Sequence, residues 1–299
     1  MIRSATVCAL ALLCIPSETR AQVCAAGPAT VQILGSGGPR INGERASASY
    51  LLWMGGRARM LVDAGGGAYL RFGEAGARLS DLWLLAVSHL HPDHVSDLPA
   101  LLWLSDLTRQ EPLPIAGPSG NDAMPGLRAF LTRLFDPKNG AFQILSGTMG
   151  GAGRGVPLDV GVVDVTSATP STVLDRPEVT VTALGVPHGN IPALAYRMRA
   201  GDVSIVFSTD QTGANPGFIE FARGADVLVM HLALAAGAAE SPLHASPAVV
   251  GRVARDAGVG RLILSHIGQF DLEPAVAEVK TYYTGSLTVG ADLQCTPVP

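Results

Sequence analysis

Lysine is nearly absent from this chain of 299 residues, and charged residues of all kinds make up only 15% of it. No Lys/Arg cluster occurs, so the basic stripe with which nucleic-acid-binding proteins meet phosphates is missing. No low-complexity stretch, short repeat or linker divides the chain, which therefore reads as one unit. No apolar run reaches the 20 or so residues that a membrane-spanning helix needs. Cysteine is scarce, four in all, and two of them, Cys8 and Cys14, lie close to the N-terminus.

What is present is apolar. Hydrophobic residues make up 47% and mean hydropathy is +0.30, enough to bury a large α/β core and to exclude disorder. The N-terminus stands apart. Arg3 supplies a positive start, Ala5–Ile15 is a short apolar run, and Pro16–Ala21 is a polar region ending on a small residue. This is the pattern of a secretory leader cleaved after Ala21, which predicts a periplasmic or secreted protein. The expected organisation is a leader at 1–21 and one domain at 22–299. Removal of Arg3, Arg20 and Glu18 with the leader takes the net charge from −4 to about −5. Cys24 and Cys295 then remain, one near each end, and an oxidising compartment predicts a disulfide between them.

Short β-rich runs alternate with helical ones, an α/β pattern. Strands are expected at Val31–Leu34, Ser49–Trp53, Arg59–Val62 and Leu113–Ala116. A second set is expected at Val160–Val165, Val179–Leu184, Ala193–Met198, Val203–Ser208, Val227–Met230 and Leu262–Ser265. Helices are expected at Asp93–Leu104, Asn121–Leu134, Pro216–Ala222, Ser246–Ala257 and Glu273–Tyr283, and a glycine-rich surface loop over Asp136–Gly155. Two strand-rich halves, each followed by helices, predict a four-layer αββα sandwich.

The seven histidines carry the chemistry. His89, His188, His231 and His266 each follow an apolar, strand-like run within a residue or two, and Asp210 follows Val203–Thr209 in the same way. Ligand-binding groups of layered α/β folds gather at the C-terminal ends of strands, so these residues can converge in space. Within His89-Leu90-His91-Pro92-Asp93-His94, the i and i+2 histidines of an extended segment point the same way and can grip one metal. Asp93 and His94 can face a second metal beside it. His188 and His266 can complete the two sets and Asp210 can bridge them. That gives His89, His91, His188 and Asp210 for one metal, and Asp93, His94, Asp210 and His266 for the other. Neutral imidazole and carboxylate suit zinc, with manganese or iron as alternatives. Two such ions can share a hydroxide and steady both oxygens of a displacement.

The His89–His94 segment resembles the signature of the metallo-β-lactamase superfamily. Ile33–Arg40, Ala48–Leu52, Val62-Asp63-Ala64-Gly65, Asp97–Leu102 and Ile115–Pro118 resemble its ribonuclease Z and arylsulfatase-like branch, as do the His188 and Asp210 turns and Ser265-His266. The resemblance spans about residues 30–270. It implies a hydrolase in which a hydroxide held by two zinc ions attacks a phosphodiester, sulfate ester or related centre, with Asp93 near the nucleophile. It also implies that His244 protonates the leaving group. In ribonuclease Z relatives a His-Glu pair helps that histidine, whereas here His231 is followed by Leu232. The bridging Asp210 argues against a β-lactamase, and His91 against a flavodiiron protein. The expected substrate is a small-molecule ester, with no nucleic acid and no membrane as partner, and a homodimer is compatible with the resemblance. A ribonuclease Z-like endonuclease and a metal-binding protein without turnover are the alternatives.

Overall fold

The computed structural model describes Cys24 and residues 27–41, 43, 45–103 and 111–298. The expected leader and Leu104 lie outside the described residues. Among these residues fourteen strands form, at Ala29–Gly35 (β1), Ser49–Met54 (β2), Arg57–Val62 (β3), Leu84–Ala86 (β4), Leu113–Pro118 (β5), Leu158–Val163 (β6), Ser171–Arg176 (β7), Val179–Val186 (β8), Ala193–Ala200 (β9), Val203–Phe207 (β10), Val227–His231 (β11), Arg261–Ser265 (β12), Ser286–Val289 (β13) and Cys295–Val298 (β14). Among the described residues seven α-helices accompany them, at Ala68–Glu74 (α1), Pro92–Val95 (α2), Leu98–Trp103 (α3), Leu127–Phe135 (α4), Pro216–Ala222 (α5), Pro247–Ala257 (α6) and Leu272–Tyr282 (α7).

The strands divide into two sheets of seven, ordered β14-β1-β2-β3-β4-β5-β6 and β13-β12-β11-β10-β9-β8-β7. Each sheet is antiparallel on one side and parallel on the other. The parallel strands are joined through α1 to α4 in one sheet and α5 to α7 in the other, as crossover connections require. Alternation along the strands then sets the layers. In β2, Tyr50 and Leu52 face the other sheet, while Leu51 and Trp53 face the helices. In β10 and β11, Ile205, Phe207, Val227 and Val229 point between the sheets, and Val206, Leu228 and Met230 point toward α5 to α7. Strands buried on both faces read as unbroken apolar runs, which is why most of them are visible in the sequence. The four-layer αββα sandwich forms as expected.

The departures have local causes. The expected helix Asp93–Leu104 is split into α2 and α3. The Asp97 carboxylate accepts from the amides of Gly67 and Tyr69 at the start of α1, and its own amide donates to the Ala64 carbonyl, so the chain turns there. The helix expected from Asn121 starts only at Leu127, because the Asn121 side chain accepts from the amides of Ala123 and Met124 and holds a turn instead. The expected loop Asp136–Gly155 contains a 3₁₀ segment at Gln143–Met149. The edge strand β7 and the short β13 and β14 lack apolar runs, and the sequence reading passes over them.

β14 pairs antiparallel with β1, and Cys295 at its start is bonded to Cys24, a disulfide spanning 271 residues. Closing so long a loop removes conformational freedom mainly from the unfolded chain. Exchanging both cysteines for serine should cost about 2–4 kcal/mol, read from urea unfolding of oxidised protein. Equal midpoints for the two proteins would overturn this.

Candidate metal centre

The centre is built where strands end. Asp63 follows β3, His89 follows β4, His188 follows β8, Asp210 follows β10, His231 closes β11 and His266 follows β12. Three of these ends carry backbone strain, since Asp63, Thr209 and His266 have φ of 59°, 52° and 49°. Non-glycine residues rarely occupy this region, and such strain gathers at functional sites. His91 is the N-cap of α2, Pro92 takes its first position, and Asp93 and His94 lie in its single turn. Two glycines make room. A Cβ on Gly65 would lie 2.1 Å from the Asp93 carbonyl oxygen, and one on Gly38 would lie 2.6 Å from the His266 ring.

Hydrogen bonds decide which nitrogen of each ring faces inward. The Ser88 hydroxyl donates to Asp63 Oδ2 at 2.7 Å, so it accepts from His89 Nδ1 at 3.0 Å and leaves His89 Nε2 as a lone pair. His94 Nδ1 donates to Asp63 Oδ2 at 2.7 Å. His188 Nδ1 donates to the Leu243 carbonyl at 2.7 Å, which leaves its Nε2 as a lone pair. His89 Nε2 and His188 Nε2 then meet His91 Nδ1 at 3.1 and 3.4 Å. One proton on His91 cannot satisfy both.

Across this group lies Asp210, whose Oδ2 is 3.2 Å from His266 Nε2, 3.5 Å from His94 Nε2, 3.9 Å from His244 Nδ1 and 4.0 Å from His89 Nε2. Asp93 Oδ2 is 3.2 Å from His266 Nε2 and 3.6 Å from His94 Nε2. His94 Nε2, His244 Nδ1 and His266 Nδ1 are buried without a hydrogen-bond partner. The donor atoms of His89, His91 and His188, of His89, His94 and Asp210, and of Asp93, His94 and His266 each cluster tightly enough to hold an ion. Converging lone pairs, two buried carboxylates and unpartnered ring nitrogens fit positive charge between them, and the residues accord with metal ions.

The ionisation pattern agrees. Burial, and then the nearby His94, holds His89 well below the ordinary imidazole value, and burial also lowers His91 and His188, so these three rings are neutral as ligation requires. Burial works against charging His94 and His266. At His94 the carboxylates of Asp63 and Asp210 outweigh it and raise the pKa well above normal; at His266 those of Asp210 and Asp93 raise it. Burial would raise Asp210, but His266 and His94 hold it well below the usual carboxylate range. Protons gather beside the two carboxylates, where cationic charge is in demand.

All the expected site residues, His89, His91, Asp93, His94, His188, Asp210, His244 and His266, come together. His231 has a different place: its Nδ1 donates to the Thr209 carbonyl at 2.9 Å, and its Nε2 accepts from the Ala245 amide at 3.1 Å. With both nitrogens occupied, it fastens the Asp210 turn to the His244 turn. Asp63 and Ser88 were missed by the sequence reading as site residues. The signal for Asp63 was available, since it too is a carboxylate directly after an apolar strand.

A model of the beta-lactamase superfamily domain matches residues 58–267. Ribonuclease Z from Mycobacterium sp. (strain KMS) is 32% identical over 251 residues, covering 79% of this chain and 83% of that protein. Among solved structures, the metallo-beta-lactamase fold protein YhfI from Bacillus subtilis superposes with a TM-score of 0.69 at 23% identity, covering 90% of this chain and 99% of its own. The short form of human tRNase Z gives the same TM-score at 21% identity with the same coverage. These two likenesses concern the fold.

His231 gives a pH test. Burial lowers its pKa to about 4, so the folded chain refuses a proton that the unfolded chain accepts below about 6.5. Its stabilising contribution is therefore complete above pH 6.5 or so and falls away as pH drops toward 4, by roughly 3 kcal/mol over that window. Chelator-treated His231→Gln should show a flatter acid limb in urea unfolding than the unsubstituted protein; parallel limbs would sink this account.

Proposed function

The chain belongs to the metallo-β-lactamase superfamily, in its ribonuclease Z branch, and on that footing we propose that it is a two-metal phosphodiester hydrolase. The observation that carries the reading is the single oxygen, Asp210 Oδ2, lying between the donor sets that α2 and the strand ends bring together. We assign His89, His91, His188 and Asp210 to one metal and Asp93, His94, Asp210 and His266 to the other, with zinc favoured by the imidazole–carboxylate donors. When bound, the pair supplies Lewis-acid charge to the phosphoryl oxygens and lowers the pKa of a coordinated water to about 7.

The chain's own side chains do the rest. Burial raises the Asp93 pKa, but His266 and His94 outweigh it and lower the value, so Asp93 is ionised at neutral pH and can orient the attacking water by accepting its hydrogen. His91 and His244 are partly exposed while the other donor residues are buried, so substrate approaches past these two rings. Burial pushes the His244 pKa to about 3 against the pull of Asp210, so the ring is neutral and offers an N–H to the leaving oxygen. Asp63 and Ser88 hold His89 and His94 in their inward-facing tautomers.

The ribonuclease Z relatives favour an RNA strand as substrate, and they weigh against the sequence-based expectations of a small ester and of no nucleic-acid partner. A second reading, a small phosphodiester with an acidic leaving group, draws on two observations. Leu232 is fully buried in an apolar cluster at the position where the resemblance to ribonuclease Z implies a glutamate that assists protonation, so His244 has no carboxylate from that position. The Cys24–Cys295 bond suits an oxidising compartment, and with the leader-like N-terminus it supports export.

The test is a substrate panel on purified, zinc-loaded protein: bis(p-nitrophenyl) phosphate, p-nitrophenyl sulfate, a β-lactam and an RNA hairpin with a 3′ extension. Phosphodiester turnover should vanish on chelation, return with zinc, and fall on the order of 10³-fold in Asp93→Ala. No metal-dependent phosphodiester cleavage across the panel would refute the reading. Asp63→Asn should weaken metal affinity about 10–100-fold, measured by competition with a chromophoric chelator. His244→Ala should slow RNA cleavage by roughly tenfold, about the worth of one hydrogen bond, and the nitrophenyl ester far less, because nitrophenolate leaves without help from a donor.

A further inference from the structure

A cavity of about 480 Å³ opens beside the centre, between the His244 turn and the helices α5 and α6. His244 belongs to both places: its ring lines the cavity, and its Nδ1 is 3.9 Å from Asp210 Oδ2. The cavity has two kinds of wall. Ile219 and Val249 supply an apolar surface, and Gly213 keeps that surface bare, since a Cβ there would lie 2.6 Å from a Val249 methyl. The rim carries Thr212, Ser241, Glu240 and Arg252, which offer donors and acceptors of both signs. The Arg252 guanidinium lies over the Tyr282 ring at 5.0 Å and has no ion-pair partner among the described residues.

We propose that this cavity is a base pocket, which receives the nucleobase of the nucleotide whose phosphate sits at the centre. The inference rests on the phosphodiester reading and names the group that the centre's substrate carries. A flat ring is matched by the aliphatic wall, and its polar edge by the mixed rim. A purely anionic group would meet Glu240 and Asp256, and a purely apolar one would leave the rim unpaired. The volume exceeds that of one nucleobase, which leaves room for its ribose.

Calorimetric titration of zinc-loaded protein with inorganic phosphate, phenyl phosphate and adenosine 5′-monophosphate tests this without relying on turnover. Adenosine monophosphate should bind at least tenfold more tightly than inorganic phosphate and more tightly than phenyl phosphate. Ala214→Trp, at an exposed position on the cavity wall, should remove that advantage while inorganic phosphate binds as before. Arg252→Met should reduce it in part. The pocket is ruled out if the nucleotide binds no better than phosphate or phenyl phosphate, or if its advantage survives Ala214→Trp. Nucleotide preference in a protein that cleaves no phosphodiester would keep the pocket and sink the reaction instead.

Discussion

A buried carboxylate surrounded by imidazoles is the constraint on which this structure turns. Asp210 is almost wholly out of water, and four ring nitrogens lie within 4.0 Å of one of its oxygens. A charge in that position is unfavourable unless opposite charge stands beside it. The rings cannot supply it all, because His89, His91 and His188 are held neutral, and the lone pairs of His89 and His188 converge on His91. The arrangement is therefore poorly satisfied as a protein core and well satisfied as a cradle for cations. That asymmetry is the physical reason for reading it as a metal centre.

The scaffold meets the cost of the cradle in its surroundings. Two seven-stranded sheets, packed face to face and covered by helices, bury most of the apolar strand surface on both sides. A core of that size can hold Asp63, Thr209 and His266 in a disfavoured backbone region. Asp63 then fixes two rings through one carboxylate, directly at His94 and through Ser88 at His89. His231 does similar work on the other sheet by tying the backbone of the Asp210 turn to that of the His244 turn. Both residues act on the cluster from outside its donor atoms, by setting where the donor residues stand.

Leu232 marks where this chain departs from the ribonuclease Z pattern. Its side chain belongs to the buried apolar cluster that β8 to β12 share with α5, α6 and α7, and so adds to the core. His244 stands 3.9 Å from the Asp210 carboxylate, and residue 232 offers it no second one.

The sequence alone determined the fold class and marked the candidate donors that the structure brings together. Unbroken apolar runs announce strands buried on both faces, and a histidine or aspartate directly after such a run lies at a strand end whatever the tertiary details. Local chemistry suffices for that, because His89, His91, Asp93 and His94 are neighbours in the chain. The edge strand β7 was hidden because it buries no apolar face, and the split between α2 and α3 because the capture of Asp97 by α1 joins residues about 30 apart in sequence. The same holds for function at the second sphere. Which nitrogen of each ring faces inward, that His231 is a fastener, and that His244 opens onto a cavity all depend on contacts between segments 20 to 100 or so residues apart. Residue type names a possible ligand; only the packed structure decides what its other atoms are bound to, and hence what it is free to do.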